Sequence, residues 1–141
     1  MVRLKTRYLV VEATGARKPA VKKEDITALI RESVTKSYGD FGSGLSQYAF
    51  QVLYYNTHTR IAAIRCAREM CKMVETSLLF VKDVHNQDVS LRVARVCGSS
   101  RACREHLLRF SLERAKTLNL YTSQPKFNEE VQVEIALVDP Q

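Results

Sequence analysis

The chain has 141 residues, 45% of them hydrophobic and 26% charged, which is enough for one domain with its own core and short for two. Its net charge of +7 points to a polyanionic partner. No apolar run is long enough to cross a bilayer, and the charge-interrupted start lacks the apolar stretch of a secretory signal, so a membrane partner is set aside.

The charge is unevenly placed. Residues 1–36 carry nine Lys/Arg against four Asp/Glu, and residues 91–116 carry seven against two. The stretch between them is neutral, and residues 117–141 carry one Lys against four acids. Two basic blocks therefore flank a neutral middle and precede an acidic tail. If the blocks meet in space they form one patch. Cys66, Cys71, Cys97 and Cys103 include no Cys-x-x-Cys pair and have no His at metal-ligand spacing. They are expected to be reduced thiols of an intracellular protein, with no metal held by the protein.

In chain order, residues 3–12 read as a first strand. On it Arg3, Lys5 and Arg7 fall on every second position, which would set three cations along one face about 6–7 Å apart, close to the spacing of nucleic-acid phosphates. The bland alternative is a basic edge strand that discourages aggregation. Residues 23–38 read as a helix, with Ile26, Leu29, Ile30 and Val34 at helical spacing and Gly39 as its stop. A glycine-rich connector, 39–44, leads to a strand at 46–55 with Tyr48, Phe50, Val52 and Tyr54 expected on one face. A turn at 56–59 joins it to a strand at 60–66. A helix over 68–80 follows, with Met70, Met73, Val74 and Leu78 as its apolar face. A turn region lies at 83–88, then a strand over 90–97. Next comes a long helix to about Leu118, capped by Ser99 or Ser100.

This order is the β-α-β-β-α-β of the ferredoxin-like and RNA-recognition-motif folds, an α+β sandwich with an added C-terminal helix. Residues 1–118 form the domain. Residues 119–141 form an acidic tail whose alternating Val131, Val133, Ile135 and Leu137 suit an extra strand, a short helix being the other reading.

The glycine run lacks the Gly-Lys-Ser/Thr of a phosphate loop and reads better as a tight turn. Arg92 and Arg95 lie on the last strand, and Arg101 and Arg104 on the first turns of the long helix. There they oppose the helix dipole unless an anion is bound, a solvated basic face being the alternative. Arg60, Arg65 and Arg68 bracket the third strand, and Arg suits bidentate phosphate contacts. That strand, Arg-Ile-Ala-Ala-Ile-Arg-Cys, lacks the exposed aromatic pair of an ordinary RNA-recognition motif. Tyr8 could stack a base or be core. Backbone and shape recognition is therefore expected in place of base-by-base reading. No catalytic constellation stands out around His58, His85 or His106, and His106 reads as a core or capping residue. Asp83 and Asp88 read as turn residues rather than metal ligands.

The stretches Met1-Val2-Arg3-Leu4-Lys5-Thr6-Arg7-Tyr8-Leu9, Gly39-Asp40-Phe41-Gly42, Ile64-Arg65-Cys66-Ala67-Arg68-Glu69 and Val96-Cys97-Gly98-Ser99-Ser100 occur in one order and spacing. Together they closely resemble the Pop-five family of ribonuclease P and ribonuclease MRP protein subunits, in its eukaryotic branch, over about residues 1–118. The resemblance implies an RNA-recognition-motif-like sandwich that pairs with a TIM-barrel-like protein subunit near the core of a catalytic RNA. Other particle subunits and precursor tRNA are further candidate partners. It implies that the RNA cleaves with Mg²⁺ held on the RNA, the protein binding no cofactor itself, in the processing of precursor tRNA and precursor rRNA. It also implies a location in the nucleus and nucleolus. Arg3, Lys5, Arg7, Arg65 and Arg68 match motif positions and are the leading RNA-facing candidates; Arg60, Arg95, Arg101 and Arg104 follow. Two other readings stay open at this point. One is a small phosphate-handling hydrolase on the same fold using Asn56 and Arg60. The other is a pure protein-docking module.

Overall fold

The computed structural model describes residues 5–14, 23–56, 58–81, 83–84, 87–117 and 126–138, with the side chains of 40–49, 83, 84, 87, 88, 127 and 128 outside that description. The elements are β1 (Thr6–Thr14), α1 (Lys23–Ala49), β2 (Phe50–Tyr55), β3 (Ile61–Ala67), a 3-10 turn (Arg68–Met70), α2 (Cys71–Leu79), β4 (Asp83–Val84), β5 (Gln87–Asp88), β6 (Ser90–Cys97), α3 (Ser100–Thr117) and α4 (Phe127–Ala136). The main sheet has the order β2-β3-β1-β6 and is antiparallel throughout, which is the ferredoxin-like arrangement. The short strands β4 and β5 pair in the region expected as a turn.

Both faces of this sheet are buried. Alternation along β1 sends Leu9, Val11 and Ala13 to one side, where Ile26, Ile30 and Val34 of α1 and Val74 and Leu78 of α2 meet them. The Ser33 hydroxyl donates to the Ser77 carbonyl, fastening α1 to α2. The other side takes Tyr8 and Val10 with Tyr54, Ile61 and Ala63, under Cys103, Leu107 and Ala115 of α3 and Val131, Ile135 and Val138 at α4. Tyr8 is thus a core residue, 7% exposed, and stacks no base.

Four expectations change. The helix expected to stop at Gly39 bends there instead, at φ 69° and ψ −158°, and helical backbone resumes to Ala49. A positive φ is open to glycine at little cost, which is why the bend falls on this residue. The second strand consequently begins at Phe50 rather than 46. Its first rung is Phe50 opposite Cys66, and β3 gives way to the 3-10 turn after Ala67, so residues 46–49 have no ladder to join. A bulge between Val52 and Tyr54 then breaks the expected single face: Phe50 and Val52 pack under α1 and α2, while Tyr54 packs under α3. The tail segment expected as an extra strand is the helix α4. Val131 and Ile135, four residues apart, turn inward, while Val133 and Leu137 stay 64% and 73% exposed. The strand over 90–97 and the long helix from Ser100 lie where the sequence puts them. The Ser99 hydroxyl accepts from the Ala102 N–H at 3.2 Å as the expected cap.

Candidate nucleic-acid interface

Antiparallel pairing gathers the start of β1 and the ends of β3 and β6 at one end of the sheet. Thr6 pairs with Ala67, Arg7 with Cys66, and Tyr8 with both Arg65 and Cys97. The Arg68 N–H donates to the Lys5 carbonyl at 2.8 Å, so the exposed Lys5 and Arg68 side chains are neighbours. Arg7 shares the parity of Leu9 and Lys5, toward α1 and α2. It is half-buried, donates from Nη1 to the Thr6 carbonyl at 2.9 Å, and its charge reaches Cys71. Arg65, opposite Tyr8, lies on the other face and donates from Nη2 to Gln51 Oε1 at 2.8 Å. The cations thus ring the end of the sheet on both faces, where the sequence suggested one row on one face. Arg3 lies outside the described residues.

The second basic block joins the same end. β6 finishes at Cys97 and α3 begins three residues later, so exposed Arg101 stands there, paired with Glu105 at 3.4 Å across one helical turn. Both partners are solvated, and such a pair contributes little to stability and yields readily to a better anion. Arg95, exposed on β6 and opposite Val10, lies just inside this end. Arg92 is engaged with Glu12 at 2.9 Å.

Two candidates go elsewhere. Arg60 is at the opposite end of the sheet, beside Ala13. Its φ is 58°, its N–H donates to the Asn56 carbonyl at 2.8 Å and its carbonyl accepts from Ala13 N–H at 2.9 Å. Arg104 is half-buried, and its Nη1 donates to the Val138 carbonyl at 3.1 Å, clasping the end of α4 to α3. Sequence reasoning missed Lys72, exposed in the first turn of α2 and therefore at the cationic end. It also missed Arg31, whose guanidinium lies 5.8 Å from the Phe50 ring centroid. A charge on a helix start becomes part of a patch only through packing, and no sequence signal marks it.

His106 is not in the core. It is half-buried on the flank of α3, where Nδ1 lies 2.9 Å from Arg109 Nη2 and the ring centroid 6.4 Å from that of Phe110. The Arg109 guanidinium lies 5.6 Å from the Phe110 centroid. Partial burial, together with the charges of Arg95 and Arg109, lowers the His106 pKa against the opposing pull of Glu105.

The four cysteines are buried free thiols; burial pushes Cys66 up to about 12 and raises Cys71 and Cys97 as well, so none of those three supplies a thiolate near neutrality. The Asn56 Oδ1 is committed to its turn, accepting from the His58 and Thr59 N–H groups at 2.8 and 3.1 Å. His85 lies outside the described residues. Among the described residues no three His, Cys, Asp or Glu side chains converge on a point that could hold a metal ion. No described helix is long and apolar enough to cross a membrane.

The model of the Rpp14/Pop5 family matches residues 7–108, which take in the main sheet from Arg7 on, α1, α2 and the first turns of α3. The chain belongs to the Rpp14/Pop5 family. Similar proteins include the probable ribonuclease P/MRP protein subunit POP5 of Arabidopsis thaliana, 29% identical over 123 residues that make up 81% of this chain and 82% of that one. The ribonuclease P/MRP protein subunit POP5 of Bos taurus is 27% identical over 118 residues, 79% of this chain and 69% of that one. Among solved structures, a chain of yeast ribonuclease MRP determined by electron cryo-microscopy superposes with a TM-score of 0.57 at 12% identity. The match covers 83% of this chain and 98% of that chain, and it shows a shared fold.

Proposed function

We propose that this Rpp14/Pop5 family member is a protein subunit of ribonuclease P and ribonuclease MRP, and that it binds and steadies the catalytic RNA without itself cleaving. The observation that carries the reading is the convergence of Lys5, Arg7, Arg65, Arg68, Lys72 and Arg101 at one end of the sheet in a chain of this family. Phosphates brought together by a folded RNA repel one another, and a ring of cations at a sheet end screens that repulsion while the buried sheet holds the ring in shape. The Mg²⁺ that supports cleavage belongs to the RNA. The work of the particle is removal of the precursor-tRNA 5′ leader and, in the MRP form, precursor-rRNA processing. A TIM-barrel-like subunit is the protein partner, other subunits complete the particle, precursor tRNA passes nearby, and the location is the nucleus and nucleolus.

The test is purification of the tagged chain from its native cells with sequencing of bound RNA and assay of the eluate on precursor tRNA. One catalytic RNA and Mg²⁺-dependent leader cleavage that RNA digestion abolishes are expected; an eluate with no specific RNA overturns the reading. In the same assay Lys5→Glu with Arg68→Glu should reduce RNA recovery and flatten the salt dependence by about one unit of slope per lost phosphate contact.

A further inference from the structure

An ordinary RNA-recognition motif meets single-stranded bases on aromatic side chains displayed by the open face of its sheet. Here that face is filled: Tyr8 and Tyr54 are 7% and 6% exposed beneath α3 and α4. On the flank of α3, next to the edge strand β6, two half-buried rings stand beside a cation, Phe110 resting against the core and His106 outside it. His106 and Phe110 are one turn apart on that flank, and the Arg109 guanidinium lies against both rings. Arg95 on β6 is within electrostatic reach of His106. β6 is the last strand of the sheet and Arg95 on it is exposed, so this edge is open to solvent on the side that faces α3.

We infer that this flank is a stacking site for one unpaired nucleotide of an RNA strand, its base on the His106 ring and the Arg109 guanidinium plane and its phosphate on Arg95. The inference rests on the RNA-binding reading above and adds to it a class of ligand that a purely cationic end would not select. Three features favour a nucleotide over an acidic peptide. The Nδ1 of His106 faces the Arg109 N–H as an acceptor, which leaves a neutral ring whose surface suits a base. A guanidinium that already lies over an aromatic ring has a second flat face for stacking. The flank also lies beside Arg95, just inside the cationic end of the sheet, so a strand held there by its backbone can continue past His106 with one base turned inward.

The test uses the full chain with two probes, a fluorescein-labelled oligoadenylate and a blunt RNA hairpin with no unpaired nucleotide except its loop, closed by a stable tetraloop. His106→Ala should weaken oligoadenylate binding by about five- to hundredfold while moving the hairpin by less than about twofold, and His106→Phe should restore the oligoadenylate affinity because it restores the stacking surface. Photocrosslinking of the wild-type chain should place a nucleotide adduct on a peptide containing His106 and Phe110. Equal loss on both probes, or no loss on either while Lys5→Glu with Arg68→Glu still weakens binding, overturns the stacking site and leaves the RNA-binding reading standing. Wild-type protein that binds neither probe overturns both. If His106→Ala in the native particle releases a protein subunit with RNA crosslinks unchanged, the flank belongs to a protein contact and the inference fails.

Discussion

The two faces of the sheet bury comparable surfaces with different materials. Beneath α1 and α2 lie aliphatic side chains from every strand of the main sheet, among them Leu9, Val11, Val52, Ile64 and Leu91, together with Phe50. Beneath α3 and α4 lie Tyr8, Tyr54, Ala63 and Cys97, with Ile61 and Val10 between them. The first face is an ordinary hydrophobic interior. The second buries two tyrosines among small and aliphatic side chains. A sheet closed on both sides can meet a partner only at its ends and edges, and Lys5, Arg7, Arg65 and Arg68 lie at one such end.

The comparison breaks most sharply on the first face. Ile64→Ala removes a wholly buried side chain from the centre of the sheet and should cost about 2–5 kcal/mol, read as a lower midpoint of urea unfolding. The second face is probed by a pair. Ile135→Ala should cost about 2–4 kcal/mol if α4 closes that face as described, whereas Val133→Ala, two residues away and 64% exposed, should change stability by less than about 0.5 kcal/mol. Equal effects of the two would mean that α4 does not dock in solution. Gly39→Ala forces a side chain into a backbone conformation, φ 69° with ψ −158°, that is open almost only to glycine although the space around it is open, and should cost about 1–3 kcal/mol in the same unfolding assay.

Smaller effects sharpen the second face. The Tyr54 hydroxyl and Ser111 Oγ are buried side by side without hydrogen-bonding geometry, and burial pushes the Tyr54 pKa up to about 12. Tyr54→Phe removes a polar group that the core does not satisfy, so it should leave the thermal midpoint unchanged or raise it, by no more than about 1 kcal/mol in equivalent stability. The smallest effect is in pH. His106 binds its proton less tightly in the folded chain, so its contribution is present above the ordinary histidine pKa of about 6.5 and is lost as pH falls below it. His106→Gln should flatten the acid limb of the stability profile slightly.

Much of the α1/α2 face was legible. Ile26, Ile30 and Val34 recur at helical spacing, so in α1 one-dimensional periodicity and three-dimensional burial agree, and the unbroken apolar run Tyr8-Leu9-Val10-Val11 suits a strand buried on both faces. The α3/α4 face was less so. Val131, Val133, Ile135 and Leu137 satisfy a strand by alternation and a helix by the four-residue step from Val131 to Ile135. The choice depends on whether a helix already lies on the sheet for them to join. Likewise no pattern within β2 announces that Val52 and Tyr54 face opposite ways, because a bulge is fixed by the partner strand.

The same division holds for the site. Residue types and spacing alone determined that Lys5, Arg7, Arg65, Arg68 and Arg101 are cations in two blocks separated by a neutral stretch, that the element order is β-α-β-β-α-β followed by a helix, and that no nucleophile or metal motif is present. Only the tertiary structure decided which cations keep company. Antiparallel pairing of β1 with β3 and β6 brings residues some sixty to ninety positions apart to one end of the sheet. The same pairing sends Arg60 to the far end, and packing of α4 engages Arg104 with Val138. Charge is a property of each residue, but a binding surface is a property of register, and register is set by which faces of the strands must be buried.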